Sequence, residues 1–326
     1  MDGLRLECLE KLFLSNEKER NLTMDKSIIF RNIYKSFGET KALEDISFSV
    51  ENQEIFGLIG PDGAGKTTLM RILATLYLPD RGEAVLEGFD VIEDYRQVRK
   101  EIGYMPGEFS LYQDLTVEEN LQFFASVFNT TVEENYDLIK GLYSHIEPFK
   151  KRRAGALSGG MKQKLALSCA LIHRPKVLIL DEPNTGVDAV SRDELWKMLH
   201  FLVDEGLTVL VSTPYMDEAE KCDRIALMQE GEVMAIDTPD RIVDEFGQIL
   251  YNIEASNIYK TLNILKEYKQ TKDVYLFGQS IHFIPDNKGI TLDSIKNYIK
   301  KKGIENCRIE REKPNIEDCF ISLMKE

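Results

Sequence analysis

The hydrophobic pattern divides the first part of the chain into short strands and longer helices. Alternating apolar and polar residues over Ile28–Tyr34 and Ala42–Val50 predict an antiparallel β layer. The compact apolar run Glu54–Ile59 is followed by the helical pattern Thr67–Leu76, with a glycine-rich turn between them. The amino-terminal part is therefore predicted to contain a β layer followed by a strand, a loop and a helix.

Farther along the chain, helices alternate with apolar strands. Thr116 and Glu119 form the two ends of a capping box, which predicts an amphipathic helix that continues to Phe128. Beyond it the predicted elements are a helix Met161–Ile172, a strand Val177–Leu180, a helix Ser191–Asp204 and a strand Thr208–Ser212. Helices that alternate with wholly apolar strands indicate a parallel sheet covered on both faces, so the fold class is α/β.

The pattern changes after Pro239. The predicted elements there follow the order β-α-β-β-α-β, which is the ferredoxin-like split unit. We therefore expect an amino-terminal extension over 1–26, a nucleotide-binding domain over 27–246 and an α+β accessory domain over 247–326. The extension contains several leucines but no uninterrupted apolar stretch, so it is not predicted to be a signal peptide.

Composition narrows the possible functions. The 326 residues carry 41 Lys and Arg against 55 Asp and Glu, a formal charge of −14, which argues against broad binding to nucleic acid or anionic lipid but still allows a local basic patch. No apolar run approaches the roughly 20 residues that cross a bilayer, so membrane contact is expected only through other chains. The five cysteines form no C-x-x-C pair, which fits a reduced, cytoplasmic compartment; they are Cys8, Cys169, Cys222, Cys307 and Cys319.

The glycine-rich turn is a candidate phosphate site. It satisfies G-x-x-x-x-G-K-[ST] between a strand and a helix, and its residues are Gly60, Pro61, Asp62, Gly63, Ala64, Gly65, Lys66, Thr67 and Thr68. Glycines let backbone N–H groups converge on phosphate oxygens at the positive end of the helix. Lys66 supplies a mobile charge, and Thr67 offers a hydroxyl to Mg²⁺. Asp62 is unusual, because a carboxylate opposes phosphate unless it points away.

Two further motifs complete the candidate site. The strand Val177–Leu180 ends in Asp181, the candidate Mg²⁺ ligand, and Glu182, the candidate base that polarises the attacking water. Upstream, Ser158 precedes Gly159 and Gly160 and can cap a helix whose exposed N–H groups form a second anion site. The chain is therefore predicted to carry two phosphate-seeking helix ends.

Together these motifs resemble the ATP-binding subunits of ABC transporters. The resemblance covers residues 27–240 and rests on the loop at Gly60, LSGGM at Leu157, LILDEP at Leu178 and TGVD at Thr185. It implies a RecA-like core with antiparallel β and helical subdomains, ATP and Mg²⁺ as ligands, transmembrane permease subunits as partners, and no nucleic acid. It also implies a head-to-tail dimer in which each ATP lies between one subunit's phosphate loop and the other's LSGG helix.

The same resemblance assigns further roles and a subfamily. It implies that Phe37 stacks on adenine and that Asp188 lies at the dimer seam. The segment Pro314–Ile321 resembles the end of the small domain appended to the ATPase subunits of drug- and antibiotic-export systems, which places the protein at the inner face of the cell membrane.

Two positions depart from the family pattern. Gly107 stands where the family usually has Gln, and Pro214 stands where it has the switch His, although Glu108 is one residue from the first position. Neither glycine nor proline offers a side-chain donor. Since the LSGG motif is intact, we expect a heterodimer with a second ATPase that has both residues. The alternatives are a slow homodimer, a regulatory ATP-binding module with little hydrolysis, and a soluble ABC protein outside transport.

Overall fold

The computed structural model describes residues 26–287 and 289–325. The chain divides between Thr238 and Pro239 into two compact units, which are described separately below. The predicted extension over 1–26 lies outside the described residues apart from Lys26, which opens the first strand. Within the described part of the chain, no helix combines the length and the apolar character needed to span a bilayer.

The first unit begins with the predicted antiparallel layer. Its sheet has the order β2-β1-β4-β5, with β1 Lys26–Phe37, β2 Thr40–Glu51, β4 Arg81–Leu86 and β5 Phe89–Asp90. The inner face is packed by aromatic rings: the centroids of Phe30 and Phe48 lie 4.9 Å apart, and Phe48 stacks on Phe56 of the neighbouring sheet at 5.2 Å. This packing joins the antiparallel layer to the central sheet.

The central sheet has six strands in the order β10-β9-β3-β8-β7-β6. They are β3 Ile55–Ile59, β6 Ile102–Met105, β7 Val177–Asp181, β8 Thr208–Thr213, β9 Arg224–Gln229 and β10 Glu232–Asp237. The neighbouring strands from β6 to β9 across the sheet pair in parallel, and β10 is antiparallel to β9. Every residue of β3, β7 and β8 is buried, as expected for strands with both faces covered. The predicted α/β class is confirmed.

The described residues of this unit, 26–238, form six α-helices. They are α1 Lys66–Leu73, α2 Tyr95–Glu101, α3 Val117–Val127, α4 Tyr136–Ile146, α5 Gly159–Leu171 and α6 Ala189–Asp204, with short 3-10 turns at Glu147–Phe149, Ala154–Ala156 and Met216–Lys221. The capping box between Thr116 and Glu119 forms as predicted. Two helices start earlier than predicted, because the Ser158 side chain caps α5 and the Asp188 side chain caps α6.

The second unit is an antiparallel sheet with helices. Its elements are α7 Pro239–Phe246, β11 Leu250–Ala255, α8 Ile258–Lys266, β12 Thr271–Phe277, β13 Ser280–Pro285, α9 Leu292–Lys301, β14 Cys307–Glu312 and α10 Ile316–Leu323. The sheet order is β12-β13-β11-β14, and the predicted β-α-β-β-α-β succession is present from β11 to β14. The unit starts eight residues before the expected boundary, because α7 packs with α10 inside it.

A buried polar cluster fixes α10 to this sheet. Asp318, wholly buried, accepts hydrogen bonds from the Tyr275 hydroxyl at 2.7 Å and from His282 Nδ1 at 2.6 Å. Its second oxygen accepts the Asn315 backbone N–H at 2.9 Å. Burial raises the pKa of Asp318, but these hydrogen bonds outweigh that effect and hold its pKa below the usual range. The carboxylate therefore stabilises the unit while it is ionised.

We predict that Asp318→Asn lowers the free energy of unfolding of the second unit by about 2 kcal/mol at pH 7, because charge-assisted hydrogen bonds are lost. The native pKa is depressed, so this stability is present above the unfolded-state pKa of about 3.9 and disappears as pH falls through the native value. The difference in the free energy of unfolding between variant and wild type should therefore become smaller below about pH 4.

Urea unfolding followed by circular dichroism measures this effect. The single tryptophan, Trp196, lies on α6 of the first unit, so its fluorescence reports that unit separately. Asp293→Asn in the exposed first turn of α9 is the matched control and should stay within about 0.5 kcal/mol of wild type. Equal effects of the two substitutions would contradict the assigned role of Asp318.

Candidate functional site

Three parallel strands end at one edge of the central sheet and bring the predicted motifs together. β3 lies between β8 and β9, and β8 lies beside β7. In register, Ile59 pairs with Thr213 and Asp181 pairs with Ser212. The phosphate-binding loop Gly60–Thr68 follows β3 directly, so the loop lies beside the carboxylates that end β7. This edge is where open α/β sheets bind ligands.

The loop can form only with glycine at key positions. A Cβ atom at Gly60 would overlap the Met228 carbonyl oxygen, and one at Gly65 would lie 2.6 Å from the Ala42 carbonyl oxygen. Gly65 also has φ of 97°, in the left-handed region that favours glycine. The Gly60 N–H donates to the Thr213 carbonyl at 3.3 Å. The loop is therefore held close to β8 and β9.

Lys66 lies at the centre of this loop. Its Nζ, in a side chain only 3% exposed, donates to the carbonyl oxygens of Gly60 at 2.8 Å and Pro61 at 2.9 Å. The Glu182 carboxylate lies 3.5 Å away. Burial lowers the pKa of Lys66, while the negative charges of Glu182 and the exposed Asp62 oppose that shift. A polyanion at the loop would provide Lys66 with a stronger counter-charge.

Thr67 and Asp181 make an oxygen pair suited to a hard cation. The Thr67 hydroxyl donates to Asp181 Oδ1 at 2.9 Å, and the Ser212 hydroxyl donates to the same oxygen at 2.8 Å. Adjacent oxygens around Mg²⁺, each at 2.0–2.1 Å, lie about 2.9 Å apart. The residues present therefore fit a Mg²⁺ ion, for which Thr67 and Asp181 would be the protein ligands.

Glu182 follows Asp181 with an unusual backbone. Its φ is 48°, a left-handed conformation that is rare for a residue with a side chain. The Ser212 hydroxyl accepts the Glu182 N–H at 2.9 Å, and Thr185 donates to the Glu182 carboxylate at 3.4 Å. The carboxylate is a quarter exposed, so it faces the loop where water can reach it.

Phe37 lies at the end of β1 with 46% of its surface exposed. Its ring meets the edge of the Tyr77 ring at 5.4 Å between centroids, and Lys35 Nζ lies 5.4 Å from the ring centre. Phe37 is therefore accessible to a planar ligand, which the family resemblance implies is adenine.

The signature residues Ser158, Gly159 and Gly160 form a second concave site with Asp188. They line a cavity of about 320 Å³ together with Gly186, Lys164 and the start of α6. The Ser158 hydroxyl accepts the Met161 N–H at 3.4 Å, while Asp188 accepts the Val190 and Ser191 N–H groups at 3.1 and 3.0 Å. A Cβ at Gly160 would lie 2.9 Å from the Ser191 hydroxyl, so a side chain there would require Ser191 to move.

Both atypical positions lie at the edge that holds Asp181. A Cβ at Gly107 would lie 3.1 Å from the Asp181 carbonyl oxygen and 3.8 Å from Glu182 Cβ. Pro214 directly follows β8, one residue after Thr213. Glu108, the possible substitute for the missing glutamine, is exposed on the same loop.

Two groups of residues at this edge were not predicted. Ser212 is hydrogen-bonded to both Asp181 and Glu182. Its position at the end of the strand beside β7 was the feature of the sequence that could have indicated this role. Gln163 of α5 donates to the Pro183 carbonyl at 2.6 Å, and Asn184 donates to the buried Glu218 at 2.8 Å. This buried chain connects the signature helix to the segment after Pro214.

Comparison with known proteins decides the class. Residues 43–185 match the family described as ABC transporter. The chain is 33% identical over 301 residues to the Nod factor export ATP-binding protein I of Rhizobium sp. (strain N33), covering 91% of this chain and 96% of that protein. This chain belongs to the ABC transporter ATP-binding proteins. The predicted family, its ABC-type fold and its ATPase class are confirmed.

A second relative of this ABC ATP-binding protein is longer. The chain is 40% identical over 306 residues to the probable multidrug ABC transporter ATP-binding protein YbhF of Escherichia coli (strain K12). The match covers 92% of this chain and 52% of that protein, so the chain spans about half the length of YbhF.

Solved structures agree with the fold of the first unit. The ATP-binding subunit of an ABC transporter aligns with a TM-score of 0.63 and 28% identity, covering 68% of this chain and 93% of that one. A dimeric cassette in a post-hydrolysis state, bound to ADP and Pi, aligns with a TM-score of 0.59 and 26% identity over 65% of this chain and 98% of that one. ATP is therefore the ligand of this family, as predicted.

We predict that Gly60→Ala lowers ATP affinity by at least about 100-fold, because the new methyl group overlaps the Met228 carbonyl and displaces the loop from phosphate. Fluorescent-ATP titration measures the change. Gly141→Ala on α4 is the matched control, since nothing lies within 4 Å of its Cβ and alanine favours the helix. Unchanged affinity in Gly60→Ala would show that phosphate binds elsewhere.

Proposed function

We propose that this protein is the ATP-binding subunit of an exporter, that it works through separate transmembrane subunits, and that it pairs with a second ATPase. The pairing with a second ATPase is supported by the observation that the departures from the family pattern affect one site only. Both atypical residues, Gly107 and Pro214, lie at the chain's own Asp181 edge, while the signature residues at Ser158 are intact. In a head-to-tail dimer the signature residues serve the partner's nucleotide.

The chain's own site is proposed to hold ATP tightly. The phosphate-binding loop and Lys66 would contact the phosphates, and Thr67 and Asp181 would hold Mg²⁺, which neutralises charge on the phosphate oxygens when bound. Glu182 is the proposed base, since its carboxylate faces the loop and is reachable by water. Phe37 would stack on adenine, and Asp188 would lie at the dimer seam.

Turnover at this site is proposed to be slow. A preorganised donor aimed at developing charge contributes about 10² to 10³ in rate. Gly107 and Pro214 supply no side-chain donor at the two positions beside Asp181 and Thr213. Hydrolysis in the heterodimer would then occur mainly at the nucleotide that this chain's Ser158 contacts.

The permease is proposed to dock beside the loop that contains Gly107. This loop joins α3 in lining an apolar cavity of about 380 Å³, with Pro106 and Leu111 from the loop, Phe124 from α3 and Phe128 at the C-cap of α3. Val127, also in the lining, is 55% exposed. An exposed apolar groove next to the nucleotide site can pass movement between ATP and a membrane subunit. This docking would place the protein at the cytoplasmic face of the membrane.

The export direction rests on the relatives. The Rhizobium protein is named for Nod factor export and YbhF for probable multidrug transport. We therefore propose an export substrate for this system, selected by the membrane subunits.

Copurification from the native membrane would identify the partner. Two substitutions in this chain would then test whether the two nucleotide sites of the heterodimer differ in turnover. We predict that Glu182→Gln changes ATP turnover of the heterodimer less than about twofold, whereas Ser158→Arg, which blocks the partner's nucleotide, lowers it at least about 100-fold. In a homodimer each nucleotide needs both residues, so both substitutions would abolish turnover. That result, or Glu182→Gln alone stopping the heterodimer, would refute the asymmetric arrangement.

Restoring the family residues should accelerate the chain's own site. We predict that Gly107→Gln with Pro214→His raises ATP turnover of the purified chain at least about tenfold. Gly107 lies outside the left-handed region, and its neighbour needs to move only a few tenths of an ångström to admit a Cβ. Adding Glu182→Gln to this pair is the control and should remove the gain.

A regulatory module is the second candidate, favoured by the same two departures. It predicts ATP binding without turnover, even in the complex with permease and partner, and no gain from the restored pair. Steady-state phosphate release from the reconstituted complex separates it from the motor.

A further inference from the structure

The charge of this chain is divided unequally between its two units. Residues 239–326 contain 14 Lys and Arg and 14 Asp and Glu, so the entire formal charge of −14 belongs to residues 1–238. Within the neutral unit the charge is also uneven. Helices α8 and α9, with the turns over 267–270 and 302–303, contain seven lysines, no arginine, and only Glu267 and Asp293 as acids.

The seven lysines share one side of the unit. The apolar residues of both helices, Leu262 and Leu265 of α8 and Ile295 and Ile299 of α9, pack into one core with the same face of the sheet. The opposite sides of both helices therefore face away from the sheet. All seven lysines are exposed and form what we name the lysine face: Lys260, Lys266, Lys269, Lys296, Lys300, Lys301 and Lys302.

The two helices meet near their carboxyl ends. Tyr268 and Tyr298 stack with their ring centroids 4.2 Å apart, and Lys302 pairs with Glu267 at 3.5 Å. These contacts bring Lys266, the last residue of α8, and Lys269, which follows α8, next to the lysines at the end of α9. Tyr259, at the start of α8, leaves 68% of its surface exposed.

Helix stability explains only part of this charge. A lysine in the last turn of a helix complements the helix dipole, which accounts for Lys266, Lys300 and Lys301. Lys260 and Lys296 lie in earlier turns, and Lys269 lies beyond α8. Apart from the ion pair of Lys302, the lysine face adds repulsion between like charges, which an anionic partner would relieve.

We propose that the lysine face binds the anionic headgroups of the membrane that holds the permease. This proposal depends on the proposed function in one respect, which is that the membrane lies close to the protein. Clusters of four to eight basic residues on amphipathic helices bind anionic lipid surfaces. Lysine alone, without the bidentate fork of arginine, suits a fluid array of phosphates better than a fixed nucleic acid or protein phosphate. The exposed Tyr259 ring suits the same interface.

Vesicle cosedimentation of the purified full chain, without permease or ATP, tests the proposal separately from transport. The chain should bind vesicles of 70% phosphatidylcholine and 30% phosphatidylglycerol, and bind pure phosphatidylcholine vesicles at least about tenfold less. Binding should weaken steeply at 0.5 M salt, where the screening length falls to roughly 4 Å. Equal binding to neutral vesicles, or no binding to anionic ones, overturns the proposal.

The variant Lys266→Gln, Lys269→Gln, Lys300→Gln, Lys301→Gln tests the surface itself. Each lysine at an anionic surface contributes about fivefold to partitioning, so the variant should bind at least about 25-fold more weakly if only two of the four reach the lipid. Circular dichroism and ATP affinity should match wild type, because all four side chains are exposed. Wild-type binding by this folded variant refutes the lysine face as the binding surface.

The basic run Lys150–Arg153 of the first unit provides a matched control, since its glutamine variant also removes four positive charges. It should bind anionic vesicles as wild type does. An equal loss in the control would show that net charge, not the lysine face, governs binding. A chain that binds heparin but not anionic vesicles would assign the surface to an acidic macromolecule and also refute the proposal.

Discussion

Parallel pairing of three buried strands is the constraint on which the nucleotide site depends. Because β3, β7 and β8 run in the same direction, their carboxyl ends lie at one edge, and each strand delivers a different group there. β3 delivers the loop that begins at Gly60, β7 delivers Asp181 and Glu182, and β8 delivers Ser212 and Thr213. These residues lie far apart in sequence, so only the sheet brings them within hydrogen-bond distance.

At that edge the polar groups restrain one another. Asp181 accepts two hydroxyl groups, and Ser212 bonds the two consecutive acidic residues, one through its proton and one through its lone pair. The buried Gln163, Asn184 and Glu218 extend the restraint toward the signature helix. Buried hydrogen-bond networks of this kind favour one arrangement over alternatives. The carboxylate edge and the signature helix are thus joined by buried hydrogen bonds within one chain.

The sequence predicted the motifs well because each has a local cause. The phosphate-binding loop is recognisable because a strand, a glycine turn and a helix start follow one another at a fixed spacing. Ser212 carries no such local signal; only its register opposite Asp181 gives it a role. The start of the second unit was missed for a similar reason, since α7 belongs there through packing on α10. The lysine face likewise exists only once α8 and α9 lie on the same side of the sheet.

The left-handed backbone of Glu182 has an energetic consequence for the site. A residue with a Cβ in the left-handed region costs about 1 kcal/mol, which the neighbouring hydrogen bonds must offset. Glycine at 182 would relieve that cost, but it would also remove the carboxylate that lies 3.5 Å from Lys66 Nζ. The left-handed backbone thus aims this carboxylate at the phosphate-binding loop directly after Asp181 ends β7, so the position of the charge depends on backbone strain at a single residue.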